Sequence, residues 1–302
     1  MMRPPGSIRF VLVTAALATS GWIARASDVP ARPDVRTLVV RAGERVAAYY
    51  KRAQQLICLE RSTVVPIDSS WSIQGVSRTV ESELRVELDA LDGDDLPDAQ
   101  VTRQVLRVNG REPRERDRKD RSGCTDPTPV SPEPLAFLLP AHRDEFRFTS
   151  VHDAHERSRA AFVIDFTSVE RSSHPELIED QYGHDDCFDW KGRIAIGGRV
   201  WIDAESYDVL RLDRHVLGPT DVRVPWTLQR KYHFDASMTL DRDDLTLRYK
   251  AVSFSDPTET VLLPDSTDSM TIFRGGLQSM RRTEAFSGYR RFLTDGHIMK
   301  GR

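Results

Sequence analysis

The sequence predicts a mainly antiparallel β domain: a curved sheet or half-barrel with an N-terminal amphipathic helix and a short helix packed on its concave side. Two observations predict this class. Residues 35–57 have a helical apolar period, whereas almost every later segment alternates apolar and polar side chains with a period of two. About ten such strands cannot bury their apolar faces in one flat sheet, so we expect the sheet to curl around the helices.

The helix is predicted from apolar residues spaced three and four apart, which form one buried stripe. Asp34, which follows Pro33, has the position and chemistry of an N-cap. A second, short helix is predicted at 131–139, where a Ser-Pro pair precedes an apolar run. The stripe of the first helix comprises Leu38, Ala42, Val46, Tyr49, Ala53 and Leu56.

The clearest strand before residue 110 covers 79–88. The predicted buried face of this strand contains Val80, Ser82, Leu84, Val86 and Leu88, and charged and threonine side chains occupy its opposite face. A second strand is predicted at 101–108, and Asn109-Gly110 follows it as a hairpin signal. Further strands are predicted at 145–149, 161–169, 193–196, 199–203, 209–216, 245–254, 260–263, 270–274 and 281–292.

The segment 226–235 is interpreted as another strand, and it supplies the candidate ligand-binding residues. An unpaired charge on its apolar face would be costly. Arg230 is therefore expected to pair with a carboxylate such as Asp203 or Asp213, to reach water, or to bind an anionic headgroup at the mouth of a cavity. The sequence leaves open whether the interior is a packed core or an apolar cavity. The candidate residues are Trp226, Leu228, Arg230, Tyr232 and Phe234.

The composition is that of a folded chain that is soluble in water. Of its 302 residues, 39% are hydrophobic and 29% are charged, which argues against disorder and against a polytopic membrane protein. The 43 Lys and Arg residues face 46 Asp and Glu residues, giving a net charge of -3. No overall positive field is available to attract nucleic acid, so this class of partner is not expected.

Residues 1–26 have the pattern of a secretory signal peptide. Arg3 and Arg9 come before a short apolar run, and Ala24 and Ala26 form a small-residue cleavage site. The run is shorter than the roughly 20 residues of a membrane-spanning helix, although a retained anchor is the alternative. We expect residues 27–302 to form a single periplasmic or secreted domain that is not integral to a membrane, with a loop insertion at about 89–134.

Export makes a disulfide bond possible, because such bonds persist in oxidising compartments. Cys124 and Cys187 lie in predicted loops, which can approach each other without distorting a sheet. We therefore predict a Cys124–Cys187 disulfide. Cys58 follows the helical pattern beside Leu56 and Ile57, and we interpret it as a small buried hydrophobic residue.

The motifs for catalysis are weak. Histidine and carboxylate side chains concentrate near His152, His155, His174 and His184, and such groups can bind zinc. Their spacing matches no known metal signature, so no metal site is predicted, and a metal-dependent enzyme using the His152, His155 and His184 region is a minor alternative. The sequence contains no G-x-S-x-G, H-E-x-x-H, P-loop or G-x-G-x-x-G motif. We predict a protein that is not an enzyme and requires no cofactor.

A secretory signal, one helix and a series of strands that includes Gly198-Arg-Val-Trp-Ile-Asp203 and Val209-Leu-Arg-Leu212 resemble the LolA/LolB-like lipoprotein-carrier superfamily. A comparable hairpin recurs at the centre of the sheet in that superfamily. The segments 249–254, 261–264 and 286–292 look like those of secreted proteins of acidobacterial type. This resemblance covers most of residues 35–295 as architecture, and none of its motifs is catalytic.

The resemblance implies a half-barrel closed by helices around an apolar cavity that receives acyl chains. The expected function is that of a periplasmic or secreted binding or carrier protein for a lipid or for lipoprotein acyl chains. The expected partners are a lipid or an acylated protein and, in addition, an envelope protein. The alternative is an envelope protein-interaction module whose core is filled.

Overall fold

The computed structural model describes residues 33–52, 55–68, 70–88, 99–115, 133–171, 173–179, 188–255, 257–292 and 298–300. The predicted signal peptide, Cys124, Cys187, His184 and most of the 89–134 insertion lie outside these ranges. The signal peptide and the Cys124–Cys187 disulfide therefore stay predictions.

The helical segments are few and mostly short. They are α1 (Val35–Arg52), the 3-10 helix η1 (Glu133–Leu138), α2 (Pro140–Arg143) and α3 (Trp226–Tyr232). None of the helices in the described ranges has the length and hydropathy of a membrane-spanning segment.

Within the described ranges, fourteen strands form one sheet. They are β1 (Leu56–Ile67), β2 (Arg78–Leu88), β3 (Ala99–Val108), β4 (Phe146–Glu156), β5 (Arg159–Ser168), β6 (Glu176–Glu179), β7 (Phe188–Lys191), β8 (Ile196–Asp203), β9 (Val209–Val216), β10 (Thr220–Arg223), β11 (Ser237–Ser255), β12 (Thr258–Arg274), β13 (Ser279–Phe292) and β14 (Ile298–Lys300).

The strand order is β3-β2-β1-β13-β12-β11-β9-β8-β5-β4, and β14 pairs with β13. A smaller extension joins β10 to β11, β6 to β10 and β7 to β6. The neighbours are antiparallel except for β10 and β6, which meet at Arg223 and Glu176. The prediction of a mainly antiparallel, curved and open sheet with few helices is confirmed.

One row of paired residues shows which face of the sheet is buried. It crosses from β5 to β3, and all of its members are buried. Helix α1 and η1 pack against the apolar residues at its β5 end, so we call this the inner face. The row consists of Ile164, Val200, Leu212, Leu247, Thr267, Glu284, Ser62, Val80 and Val108.

The opposite, outer face is polar. A parallel row, displaced by one residue, consists of Asp165, Arg199, Asp213, Thr246, Asp268, Thr283, Thr63 and Thr79. Because side chains alternate between the faces of a sheet, the two rows explain the period of two in the sequence.

Helix α1 forms as predicted at its N-terminus. The Asp34 carboxylate accepts hydrogen bonds from the Thr37 N–H at 2.9 Å and from the Thr37 hydroxyl at 2.7 Å, which is N-cap geometry. Leu38, Ala42 and Val46 are buried against the sheet. Gly43 lies so close to η1 that a Cβ atom there would be 2.4 Å from the Leu138 carbonyl oxygen. The glycine therefore sets how closely α1 and η1 approach.

The predicted C-terminal end of this helix is wrong. Helix α1 ends at Arg52, and Leu56, Ile57 and Cys58 begin β1. Gln55 adopts a positive φ of 60° between them. Leu56 continues the helical spacing, but Leu56 and Cys58 also alternate with a period of two, and the sheet pairing decides between the two patterns. Cys58 is buried, as predicted, and burial raises the pKa of its thiol to about 12.

Two other strand predictions need correction. The strands predicted at 260–263 and 270–274 are parts of β12, which continues through Pro264. A register shift places Tyr249 opposite Pro264 and Arg248 opposite Ser266, and a bulge is where a strand tolerates proline. The strand predicted at 193–196 begins only at Ile196. The Asn109-Gly110 turn is confirmed, because both residues have positive φ, 50° and 76°.

Candidate functional site

The structure moves the predicted ligand-binding residues from a strand to a helix. Trp226, Leu228, Arg230 and Tyr232 lie on α3, and Phe234 follows it. The strand interpretation is wrong because Leu228 and Tyr232 are also four residues apart, and this spacing places both on one side of a helix. Both pack in a separate apolar cluster with Val222 and Met238.

Arg230 is exposed on α3, and its guanidinium carbon lies 4.8 Å from the centroid of the Trp226 ring. The predicted pairing with Asp203 or Asp213 is wrong, because Arg159 binds Asp203 and Arg211 binds Asp213. The expectation that Arg230 reaches water matches its exposed position. The role of the five residues in ligand binding stays a prediction.

The histidine region shows no metal geometry in the part that the structure describes. His152 and His155 are both exposed on β4, three residues apart, so they project from opposite faces. His174 is exposed in a loop. Within the described ranges, no group of three or more His, Cys, Asp or Glu side chains is placed to hold a metal ion.

The inner face instead brings polar side chains together across the neighbouring strands β3, β2, β1, β13 and β12. Five of them are buried, and the two arginines are partly buried. Apolar clusters lie on both sides: one beneath α1 and one around Cys58, Leu84 and Phe286. We call this group the polar strip; it comprises Glu60 and Ser62 of β1, Ser82 of β2, Arg103 of β3, Thr267 of β12, and Arg282 and Glu284 of β13.

Two carboxylates of the polar strip have polar partners within it. Arg103 Nη2 donates to Glu60 Oε1 at 3.1 Å, and the Thr267 hydroxyl donates to Glu284 Oε2 at 2.6 Å. Arg282 Nη1 lies 4.0 Å from Glu284 Oε1. Burial raises the pKa of Glu60 to about 7, although the charge of Arg103 opposes the shift. Near neutral pH this carboxyl group can therefore either donate or accept a hydrogen bond.

Three buried oxygen atoms of the polar strip lack a hydrogen-bond partner within the described residues. They are Glu60 Oε2, Ser62 Oγ and Ser82 Oγ. Buried polar groups in proteins nearly always have a partner, because leaving one unsatisfied costs about 1–3 kcal/mol. The polar strip thus offers hydrogen-bonding capacity to a further polar group beside the apolar clusters of the inner face.

A small cavity lies between α1 and the sheet, near the turn between β8 and β9. Its volume is about 30 Å³, and its lining includes Tyr49, Tyr249 and Leu262. A cavity of this size holds about one or two water molecules. At its edge the Arg45 guanidinium donates to both oxygens of Asp208, at 2.6 and 3.1 Å. In this region, therefore, α1 packs tightly on the inner face.

The sequence contained a signal for only part of this site. Ser82 was predicted on the buried face of its strand, and the structure confirms its burial. Glu60 and Ser62 continue the alternation of Leu56 and Cys58. A predicted helix that ended at Arg52 would therefore have placed all four residues on one face of a strand. The contacts of Arg103, Thr267 and Glu284 join strands far apart in sequence, and local patterns do not reveal them.

Comparison with solved structures finds distant similarities over most of the chain. A LolA superfamily protein from Nitrosomonas europaea is 8% identical; the match covers 87% of this chain and 96% of that chain, with a TM-score of 0.33. A DUF1329 family protein from Desulfovibrio piger is 9% identical, covering 84% and 94%, with a TM-score of 0.35. The Pseudomonas aeruginosa MucA/MucB complex gives 8% identity, 81% and 93% coverage, and a TM-score of 0.23.

The first of these structures belongs to the superfamily that the sequence resembles. No protein-family model and no curated protein matches the chain. At such low identities and TM-scores, the solved structures inform neither the ligand nor the role of this chain.

Proposed function

We propose that the chain is a periplasmic or secreted binding protein that carries an amphiphilic ligand on the inner face of its sheet. The ligand is a lipid or the acyl chains of a lipoprotein, and binding needs neither covalent chemistry nor a cofactor. The observation that carries this proposal is the polar strip, in which unsatisfied buried oxygens lie between two apolar clusters of one face.

The apolar clusters and the polar strip of this face match the apolar and polar parts of an amphiphile. Acyl chains would pack on the apolar clusters, where each buried CH₂ group contributes about 0.8 kcal/mol. The polar part would lie against Glu60, Ser62 and Ser82, whose unsatisfied oxygens favour a hydrogen-bond donor such as a hydroxyl, amide or ammonium group. Arg103 and Arg282 supply donors for an ester or phosphate oxygen.

Access to the part of the inner face beneath α1 requires α1 to move. The cavity of about 30 Å³ beneath it is far too small for an acyl chain. The ion pair between Arg45 and Asp208 connects the helix to the turn between β8 and β9. In the proposal, α1 and η1 are therefore a cover that separates from the sheet when the ligand enters.

A fluorescent fatty-acid probe tests the proposal on the full chain exported to a bacterial periplasm. Arg282→Ala removes a donor from the polar strip, and Arg281→Ala is its matched control, because Arg281 points to the outer face and binds Asp268. We expect saturable binding, weakened roughly tenfold by Arg282→Ala, as for a charged hydrogen bond worth about 1.5 kcal/mol. Arg281→Ala should bind like the wild type.

A wild type that does not bind the probe would contradict the proposal. Equal affinities of the two variants would show that the polar strip does not contribute to binding. The second candidate function, an envelope protein-interaction module with a filled core, is favoured by the small cavity beneath α1. It predicts no uptake of acyl probes.

A further inference from the structure

The outer face contains a cleft that is open and polar, unlike the buried polar strip of the inner face. It has a volume of about 630 Å³, within the range of about 300–1,000 Å³ that is typical of small-molecule sites. It lies along β9 and β11, where Trp71 of the loop 70–77 contacts Arg242 of β11. The lining includes Trp71, Asp213, His215, Arg242, Asp244 and Thr246.

Trp71 is held in place although it is 57% exposed. Asp68 organises its loop: Oδ1 accepts hydrogen bonds from the N–H groups of Ser70 and Ser72 at 2.8 and 2.9 Å. The Trp71 N–H donates to the Asp68 carbonyl at 3.0 Å. The hydrogen bonds to the Asp68 carboxylate, led by that of the Ser70 hydroxyl at 2.7 Å, lower the pKa of Asp68. The hydrogen bonds of the loop therefore fix the main chain that carries this solvent-exposed aromatic ring.

The ring of Trp71 is also anchored to the sheet. The Arg242 guanidinium carbon lies 4.3 Å from its centroid, which is cation–π geometry. Arg242 Nε in turn donates to Asp244. The side chains that border the ring are therefore positioned relative to one another before any ligand binds, which lowers the entropic cost of binding.

The charges of the cleft are matched internally. Arg242 neutralises Asp244, and Arg211 binds Asp213 through two hydrogen bonds of 2.8 and 2.6 Å. A strongly charged ligand gains little from carboxylates that already have counter-ions, and an acyl chain would desolvate them at a cost. An ion-paired carboxylate still has lone pairs that accept hydrogen bonds, and Thr246 adds a hydroxyl that donates and accepts.

We propose that this cleft binds an uncharged saccharide. One sugar ring would lie with its C–H face on the Trp71 ring, and its hydroxyl groups would donate to Asp213 and Asp244 and accept from Arg242. A saccharide combines an apolar face with a rim of hydroxyl donors and acceptors, which is the combination that a fixed aromatic ring among paired charges can satisfy. This proposal is independent of lipid binding to the inner face.

The test uses two probes, the tetrasaccharides of glucose and of N-acetylglucosamine, titrated into the full chain by calorimetry and saturation-transfer NMR. We expect saturable binding of at least one. Trp71→Ala should weaken it roughly tenfold, which corresponds to about 1.4 kcal/mol, and Asp244→Asn should also weaken it. Val169→Ala is the control, because Val169 is an apolar residue that is 55% exposed and does not line the cleft.

Circular dichroism of each variant confirms that it is folded. Failure of both tetrasaccharides to bind the wild type, or unchanged binding by Trp71→Ala, would overturn the proposal. Because the fatty-acid probe is measured separately, a protein that binds saccharide and not lipid would retain this site and lose the proposed carrier function.

Discussion

Individual buried polar residues are the most informative feature of this chain at the residue scale. Glu60 and Glu284 are 2% and 3% exposed on the inner face, beside its apolar clusters. Replacing such groups by apolar residues of similar volume is often neutral or stabilising. Stability alone therefore does not account for their presence, which agrees with the ligand binding that we propose for this face.

Glu60 makes a prediction about pH. Its pKa in the folded protein, about 7, lies above its ordinary value of 4.5, so the folded state binds more protons than the unfolded state between these values. The contribution of Glu60 to the free energy of unfolding is therefore highest below about pH 4.5 and declines as the pH rises to about 7. Denaturant titrations between pH 5 and pH 8 should show this decline, with a slope of up to about 1.4 kcal/mol per pH unit.

Glu60→Gln should flatten that part of the profile, because glutamine does not titrate. Glu87→Gln is the matched control, since Glu87 is exposed on the neighbouring strand, and it should keep the wild-type slope. If Glu60→Gln retains the wild-type slope, burial does not raise the pKa of Glu60.

At the element scale, sequence patterns predicted strands with unbroken alternation best, whereas β1, the first part of β11 and the continuity of β12 were not predicted. Strand β9 has the predicted bounds, and β2 differs by one residue, because their alternation extends over eight or more residues. The strands β6, β7 and β10 have four residues each, too few to establish a period. The seven residues of α3 fit both the strand period of two and the helical spacing of four. The packing of Leu228 and Tyr232 in one apolar cluster favours the helix.

Gly43 provides a prediction about the contact between α1 and η1. Alanine is favoured over glycine within a helix by about 1 kcal/mol, yet a Cβ atom at this position would be 2.4 Å from the Leu138 carbonyl oxygen. We expect packing to prevail, so that Gly43→Ala destabilises the full chain by about 1–3 kcal/mol.

Chemical denaturation measures this change. The control is Glu44→Ala, at an exposed position of the same helix, which should alter the free energy of unfolding by less than about 0.5 kcal/mol. A Gly43→Ala protein more stable than the wild type would show that α1 does not press on η1 at this point.

At the scale of the whole molecule, one sheet presents two chemically different faces. The inner face carries the apolar clusters and the polar strip, and the outer face carries paired charges and the cleft beside Trp71. The sequence was sufficient to predict the curved antiparallel sheet, because alternation is a local property. It could not reveal the polar strip, whose residues come from five strands and meet only through the sheet pairing.

The most direct test of the carrier proposal is native mass spectrometry of the full chain purified from a bacterial periplasm, with solvent extraction of the same sample to identify lipids. A ligand bound to the inner face predicts a population heavier than the protein by the mass of one lipid or acylated peptide. A mass of the protein alone, together with no uptake of an acyl probe, would contradict the proposal and favour the filled-core interaction module.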